Sequence, residues 1–200
     1  TPVVGKVPLH MAGREGVITD VEAALAGTGN DPAIISLLVG PRGIGKTALL
    51  SYFADIAESS GWATARVTCV KGMLDDILIR AQRSAQHLVN TQPSRKIKGA
   101  GIANLVSLEQ EDSPHKLVNW RSKMDDILSS LADCNIGLLV TIDEVNPSIE
   151  EMVTLVAAFQ HFLDEGKKVA LIMAGLPFGV TSLHSGKPNS FLRKAARYAL

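Results

Sequence analysis

The 200-residue sequence lacks features that would draw it to charged or lipid surfaces. Lysine and arginine together number 20, as do aspartate and glutamate, so the formal net charge is zero. The net charge of the chain therefore provides no long-range attraction to nucleic acid or to anionic lipid. No apolar run approaches the roughly 20 residues that a membrane-spanning helix needs, and the start lacks the pattern of a signal peptide. We expect a soluble, cytoplasmic protein with no membrane partner.

Cysteine, histidine and aromatic residues are also sparse. The two cysteines, Cys69 and Cys134, lie far apart without a C-x-x-C spacing, which argues against a zinc site or a disulfide framework. The five histidines show no ligand spacing with one another or with cysteine. The sequence therefore predicts no metal site built from these residue types, and Cys69 is interpreted as small core filler rather than a nucleophile.

Continuous apolar runs alternate with helical patterns along the chain. Four runs are typical of strands covered on both faces, at 33–39, 62–70, 136–142 and 168–173. Apolar residues recur at helical spacing within 46–59, 74–88, 117–131 and 149–163, with the last helix opening at Asn146, and 95–112 is interpreted as a loop or hairpin. This alternation predicts one α/β domain over residues 1–200, a doubly wound parallel sheet flanked by helices.

A glycine-rich loop follows the first apolar run directly. It satisfies the pattern G-x-x-x-x-G-K-[ST], in which backbone N–H groups wrap phosphates, the lysine neutralises their charge and the threonine ligates magnesium. The pattern predicts ATP or ADP with Mg²⁺ as cofactors. The candidate nucleotide-binding residues are Gly40, Pro41, Arg42, Gly43, Ile44, Gly45, Lys46, Thr47 and Ala48, with Thr47 also a metal ligand and Lys46 also catalytic.

Two acids end the third apolar run. Asp143 stands where a Walker-B aspartate would hold magnesium, and Glu144 follows it. Two carboxylates at the end of a buried strand are costly unless a cation or water meets them. We predict that Asp143 is a metal ligand and that Glu144 is the catalytic group that orients and deprotonates an attacking water.

Three stretches together resemble the AAA+/STAND group of P-loop ATPases, near the Orc/Cdc6-like ATPases: GPRGIGKT, LLVTIDE, and Ala12-Gly13-Arg14-Glu15 ahead of the first strand. The resemblance spans most of the chain and implies the sheet order 5-1-4-3-2, followed by a helical lid. It also implies that residues 1–32 form an adenine-side segment, in which Gly13, Arg14 and Glu15 contact the base. If the resemblance is set aside, Arg14 and Glu15 are also explained as a solvent-exposed Arg-Glu pair at the start of a helix.

The C-terminal stretch indicates which parts of an ATPase domain of this family the sequence contains. Residues 190–197 resemble the helix that supplies an arginine finger in this family, which makes Arg193 and Arg197 candidate catalytic residues, although an exposed basic helix end would look the same. The sequence predicts that the fifth strand is clipped, beginning near Tyr198, and that the lid is absent. We therefore expect a fragment of a longer protein, with appended effector domains or a homo-oligomer supplying the rest.

One departure from the family keeps two functions open. AAA+ proteins carry a polar residue at the end of the fourth strand, whereas residues 172–177 here read IMAGLP. The first hypothesis is an ATPase whose hydrolysis drives or regulates a conformational change in a larger protein, with weak turnover in the isolated chain. The alternative is a nucleotide-dependent binding switch for a protein or DNA partner.

Two further classes have less support. A GTPase would need an N-K-x-D motif, which is not found after the later strands. A small-molecule kinase would need a basic lid segment, for which Arg95, Lys96 and Lys98 offer little. Those three residues could also contact a nucleic-acid backbone, but so short a charge cluster is usually only a solvated loop.

Overall fold

The predicted alternation of strands and helices is present in the structure. A computed structural model describes residues 13–27, 31–91, 115–146, 148–177, 192 and 194–200. Among the described residues no helix is both long and apolar enough to cross a bilayer. The elements are α1 (Glu15–Ala26), β1 (Ile35–Val39), α2 (Lys46–Ser59), β2 (Ala63–Thr68), α3 (Met73–Thr91), α4 (His115–Ala132), β3 (Leu138–Asp143), α5 (Glu150–Asp164), β4 (Val169–Gly175) and β5 (Ala196–Ala199).

The strands form one sheet in the order β2-β3-β4-β1-β5, in which every pair is parallel. This is the predicted order, read from the other edge, and the α/β fold class is confirmed. Val39 pairs with Gly175, Ile142 pairs with Met173, and Thr68 pairs with Asp143. The register therefore brings the ends of β1, β2, β3 and β4 to one edge, where ligand sites of such sheets lie.

Helices bury both faces of the sheet. Every residue of β4 is buried, and β3 is buried except at its terminal acid. Each large apolar side chain removed from water contributes about 1.5–3 kcal/mol, so the central strands are firmly held. One residue of the predicted α5 stripe, Val153, is instead 36% exposed, because Leu155 and Phe162 supply the buried face.

At two of the predicted boundaries, polar side chains form turns that delay the start of the element. The first strand starts at Ile35 rather than residue 33, since residues 32–34 form a 3₁₀ turn in which Asp31 Oδ1 accepts from the Ala33 amide at 2.8 Å. Helix α5 starts at Glu150 rather than Asn146. Asn146 Oδ1 accepts from the Ser148 amide at 3.0 Å, and this Asx turn delays the helix by four residues.

The C-terminal prediction also needs correction. Strand β5 begins at Ala196 rather than near Tyr198 and runs to Ala199 in parallel to β1, and the Leu200 amide donates to Val39 O at 2.8 Å. Arg197 therefore lies in a strand rather than in a helix. The strand is the favoured conformation because its backbone N–H and C=O groups form hydrogen bonds with those of β1. Arg193, like the segment 95–112, lies outside the described residues.

Candidate nucleotide-binding site

The phosphate loop joins β1 to α2 through backbone conformations that favour glycine. Gly43 and Gly45 have φ of 78° and 93°, in the left-handed region where a side chain would be strained. Gly45 immediately precedes α2, so the amides of the first helical turn and the positive end of the helix dipole border the loop. This arrangement suits a bound phosphate.

Gly40 fixes where the loop leaves the sheet. A Cβ there would lie 3.1 Å from Leu200 O and 3.1 Å from Ile44 Cγ2. The Gly40 amide also donates to Gly175 O at 3.4 Å. The loop thus starts in a narrow gap between β4 and the residue after β5, which only glycine fills without displacement.

Lys46 lies over the loop it belongs to. Its Nζ donates to Gly40 O at 2.8 Å and to Pro41 O at 2.7 Å. Both acceptors are loop carbonyls, so the ammonium group is held at the concave side of the loop. A cation held there can offset the charge of a phosphate bound by the loop amides.

The two predicted metal ligands meet although they lie 96 positions apart in sequence. Thr47 Oγ1 donates to Asp143 Oδ2 at 2.5 Å. The other carboxylate oxygen accepts from the Glu144 amide at 2.8 Å, which fixes the orientation of Asp143. A hydroxyl and a carboxylate are the hard oxygen donors that fit Mg²⁺, an ion usually held by few protein ligands with phosphate and water completing its shell.

Glu144 adopts an unusual backbone conformation. Its φ is 55°, and within the described residues only Asn135 shares this trait among non-glycine residues. A non-glycine residue in this region costs about 1–2 kcal/mol, and such strain is concentrated at functional sites. The carboxylate is exposed and lines the cavity beside the loop, where it can reach water.

A cavity of about 960 Å³ covers this edge of the sheet. Eight predicted site residues line it: Arg42, Gly43, Gly45, Lys46, Thr47, Ala48, Asp143 and Glu144. Seven further residues that line the cavity were not predicted: Cys69, Val70, Val145, Asn146, Ser148, Gly175 and Leu176. All seven lie at or just after the carboxyl end of β2, β3 or β4, and that position was the signal that could have found them.

Cys69 contacts the turn after β3. Its Sγ accepts a hydrogen bond from the Asn146 amide at 3.4 Å. Burial raises the pKa of the thiol, and this effect outweighs the Asn146 hydrogen bond that lowers it. The thiol therefore stays protonated near neutral pH, in agreement with a packing role.

The segment predicted to face adenine lies beside the phosphate loop. Arg14 Nη2 donates to Ile44 O at 3.5 Å, and Glu15 Oε1 accepts from the Gly13 amide at 3.2 Å. Hydrogen bonds from the backbone amides of Glu15 itself and of Gly13 lower the pKa of Glu15. These three residues are near the loop but are not among those lining the cavity, so their contact with the base stays a prediction.

The candidate arginine finger is placed away from the cavity. Arg197 is exposed on β5, pairs in register with Leu37, and does not line the cavity of its own chain. A catalytic role for Arg197, or for Arg193 outside the described residues, stays a prediction.

The all-parallel sheet and the glycine-rich loop between β1 and α2 together define the class of fold, a P-loop α/β domain. The structure of Cdc6p from Pyrobaculum aerophilum superposes with a TM-score of 0.57 at 15% identity, covering 98% of this chain and 48% of that one. The structure of the Orc1 protein of Aeropyrum pernix, in complex with DNA, matches at a TM-score of 0.47 and 17% identity, covering 94% of this chain and 44% of that one. No family model and no curated protein matches the sequence.

The superposition on Cdc6p confirms the fold predicted from the resemblance to Orc/Cdc6-like domains. The identities are too low to carry activity, substrate or partner from those proteins to this chain. The chain also spans about half the length of either solved structure. Function must therefore be argued from the site itself.

Proposed function

We propose that this domain binds ATP with Mg²⁺ in the cavity beside residues 40–47 and hydrolyses it, driving or regulating a conformational change in a larger protein. The observation that carries the proposal is the contact of Thr47 Oγ1 with Asp143 Oδ2 at 2.5 Å. Folding brings together the hydroxyl and the carboxylate that magnesium–nucleotide binding requires, next to a lysine-bearing loop.

Each residue has a distinct role in the proposed reaction. Loop amides and Lys46 bind the phosphates, while Thr47 and Asp143 would hold a magnesium ion, which would supply positive charge to neutralise the phosphate oxygens. Glu144 orients the attacking water and accepts its proton, because its carboxylate is exposed within the same cavity. Arg42 also lines the cavity and adds a second cation from the loop.

A matched pair of variants separates binding from hydrolysis. We expect Glu144→Gln to retain ATP affinity while losing about 100-fold or more of phosphate release, since general-base catalysis contributes that much. Lys46→Ala should weaken ATP binding itself about 10-fold to 100-fold, because hydrogen bonds to charged groups contribute about 1.5–3 kcal/mol. Calorimetry with ATP and Mg²⁺ measures the affinity for ATP, and a phosphate-release assay measures the rate of hydrolysis.

The same assays can contradict the proposal. If Glu144→Gln releases phosphate at the wild-type rate, Glu144 is not the base. If Lys46→Ala binds ATP as wild type does, the cavity is not the nucleotide site. Competition with GTP tests the base preference, and the contact of Arg14 with Ile44 O supports the proposal that Arg14 lies on the adenine side.

A second candidate function is a nucleotide-dependent binding switch. It is favoured by the β4 side of the cavity, where the lining residues are Gly175 and Leu176, neither of which can orient water. Tight retention of ADP with negligible turnover would support the switch, whereas sustained phosphate release that depends on Glu144 would support the ATPase.

A further inference from the structure

A second cavity, of about 550 Å³, lies between β2 and α3 and is rich in arginine. We name it the arginine groove; its charged lining residues are Glu58, Arg66, Arg80 and Arg83. None of its lining residues lines the nucleotide cavity. The groove is therefore separate from the proposed ATP site.

Helical spacing brings two of the arginines to one face of α3. Arg80 and Arg83 are three positions apart, so their side chains are neighbours on the helix surface. Arg66 approaches from β2, the edge strand of the sheet. Three guanidinium groups from two elements thus converge on one concavity.

The positive charge of these arginines is only partly compensated. Arg66 forms ion pairs with Asp55 at 2.7 Å and Glu58 at 2.8 Å. Arg80 and Arg83 are both exposed, and neither forms an ion pair with an acid among the described residues. Their guanidinium groups are available to an anionic ligand.

Hydrogen bonds fix the wall from which Arg66 projects. Ser84 Oγ on α3 accepts from the Thr64 amide at 2.9 Å, and Thr64 Oγ1 donates to Glu58 Oε1 at 2.5 Å. Burial alone would raise the pKa of Glu58, but hydrogen bonds from Thr64 and Arg66 more than offset it and lower the pKa. Glu58 therefore stays ionised and holds Arg66 in place.

The size and charge of the groove indicate the class of ligand. Its volume lies within the roughly 300–1,000 Å³ of small-molecule sites. Arg66 is paired with Asp55 and Glu58, whereas Arg80 and Arg83 carry two positive charges with no ion pair among the described residues, and these match the −1.5 to −2 charge of a phosphate monoester. We propose that the groove binds a small phosphorylated molecule, with Arg80 and Arg83 contacting its phosphate group.

A nucleic acid fits these observations less well. Nucleic-acid sites are usually part of an extended basic surface, whereas this chain has zero formal net charge and the groove exposes only two uncompensated arginines. Arginine remains the residue suited to bidentate recognition of a single phosphate group.

A third cavity, of about 380 Å³, lies next to both sites. It shares Arg66 and Arg80 with the groove and Thr47 and Asp143 with the proposed ATP site, and Asp76 also lines it. Any phosphate-bearing probe must therefore be kept from the phosphate loop when the groove is tested, and the Lys46→Ala background serves this purpose.

The test is calorimetric titration of the Lys46→Ala chain with glucose 6-phosphate as the probe and glucose as the control. We expect saturable binding of glucose 6-phosphate and none of glucose. The double variant Arg80→Gln/Arg83→Gln should weaken binding about 10-fold or more, the loss expected for hydrogen bonds to a charged group. The matched control is Arg121→Gln, a partly exposed arginine on α4 outside the groove, which should bind as the parent does.

Three outcomes would overturn the proposal. The first is glucose 6-phosphate binding that is absent or unchanged by the double variant, while ATP binding to the otherwise wild-type double variant shows that the fold is intact. The second is equal binding of glucose, which would mean that the phosphate group is not recognised. The third is a short DNA duplex that binds more tightly than glucose 6-phosphate and depends on Arg80 and Arg83. None of these results would affect the ATPase proposal, which rests on Glu144-dependent phosphate release.

Discussion

Strands β3 and β4 are paired neighbours that end very differently. Ile142 pairs with Met173, so the residues that follow are Asp143 on one strand and Ala174 on the other. Strand β3 ends in the carboxylate of Asp143 and is followed by Glu144, a second carboxylate whose φ is positive, whereas β4 ends in Ala174 and Gly175 in ordinary extended backbone. The acids of the candidate site thus lie at the end of β3, and the β4 end supplies only backbone and apolar surface.

This contrast suggests how the site divides binding from turnover. The carbonyl of Ala174 accepts from the Val145 amide at 2.9 Å, so β4 holds the chain on the far side of Glu144. The fixed neighbours on either side keep Glu144 in its costly conformation. A strained acid beside an apolar strand end should bind magnesium-nucleotide well and hydrolyse it slowly.

The largest effect is expected from Glu144→Gly, which removes the strain and the carboxylate together. We predict a loss of about 100-fold or more in phosphate release, because the general base is gone. The free energy of unfolding should rise by up to about 1 kcal/mol, since glycine adopts positive φ without the cost that glutamate pays. Urea denaturation and a phosphate-release assay measure the two quantities.

Glu144→Gln is the matched control for this prediction. It removes the charge but keeps the Cβ, so it should lose turnover without gaining stability. Equal stabilisation by both variants would mean that carboxylate repulsion, rather than backbone conformation, strains this position.

A smaller effect is expected at the β4 end from Leu176→Asn. Leu176 is 41% exposed and lines the nucleotide cavity, so an amide can be placed there at little cost in packing. If the missing polar group limits turnover, phosphate release should rise by a few fold, within the range that one added hydrogen bond of about 1 kcal/mol supplies. Steady-state phosphate release at saturating ATP is the measurement.

Val153→Asn is the matched control for the β4 prediction. Val153 is 36% exposed on α5 and does not line the cavity, so its substitution should leave the rate unchanged. An unaltered rate for Leu176→Asn would show that a polar group at this position is not what limits hydrolysis.

The sequence predicted the β3 end far better than the surroundings of the site. The sequence pattern predicted that Lys46, Thr47, Asp143 and Glu144 would lie together, as they do around one cavity, because the proposed chemistry requires particular residue types at particular spacings. Val70, Asn146 and Leu176 carry no such requirement, since they line the cavity only because parallel strands end at the same edge. Whether such a residue lines the cavity depends on the register in which the strands pair. The hydrophobic pattern of each strand does not by itself fix the register between strands that are distant in sequence.

The fold shows the same division between long and short segments. Strands and helices with many apolar residues were predicted within a few positions, and the sheet order followed from the family resemblance. The fifth strand was predicted to begin near Tyr198, two residues late, with Arg197 assigned to a basic helix, because four residues give too short a pattern to distinguish period 2 from period 3.6. Pairing with β1, a tertiary effect, decides its conformation.

The smallest effect is expected at β5, which pairs with β1 and with neither β3 nor β4. Tyr198 is partly buried and donates to Asp20 Oδ2 at 3.0 Å; burial first, and then Asp20, raises the pKa of its phenol from 10.0 to about 12. The neutral phenol is therefore favoured in the folded state. Its stabilising contribution is complete below about pH 10 and is lost as the pH rises toward about 12. The free energy of unfolding should thus fall across this window.

Tyr198→Phe should make that fall shallower, and Tyr52→Phe, the other tyrosine of the chain, serves as its control. Tyr52 contacts Glu22 only at 3.4 Å, so its removal should change the slope less. Urea denaturation at several pH values between 9 and about 12 measures the slope. Equal slopes for wild type and Tyr198→Phe would contradict the role of the Tyr198–Asp20 contact. If Tyr198→Phe changed the affinity for ATP at neutral pH, β5 would influence the nucleotide site, and the two could not be treated as independent regions.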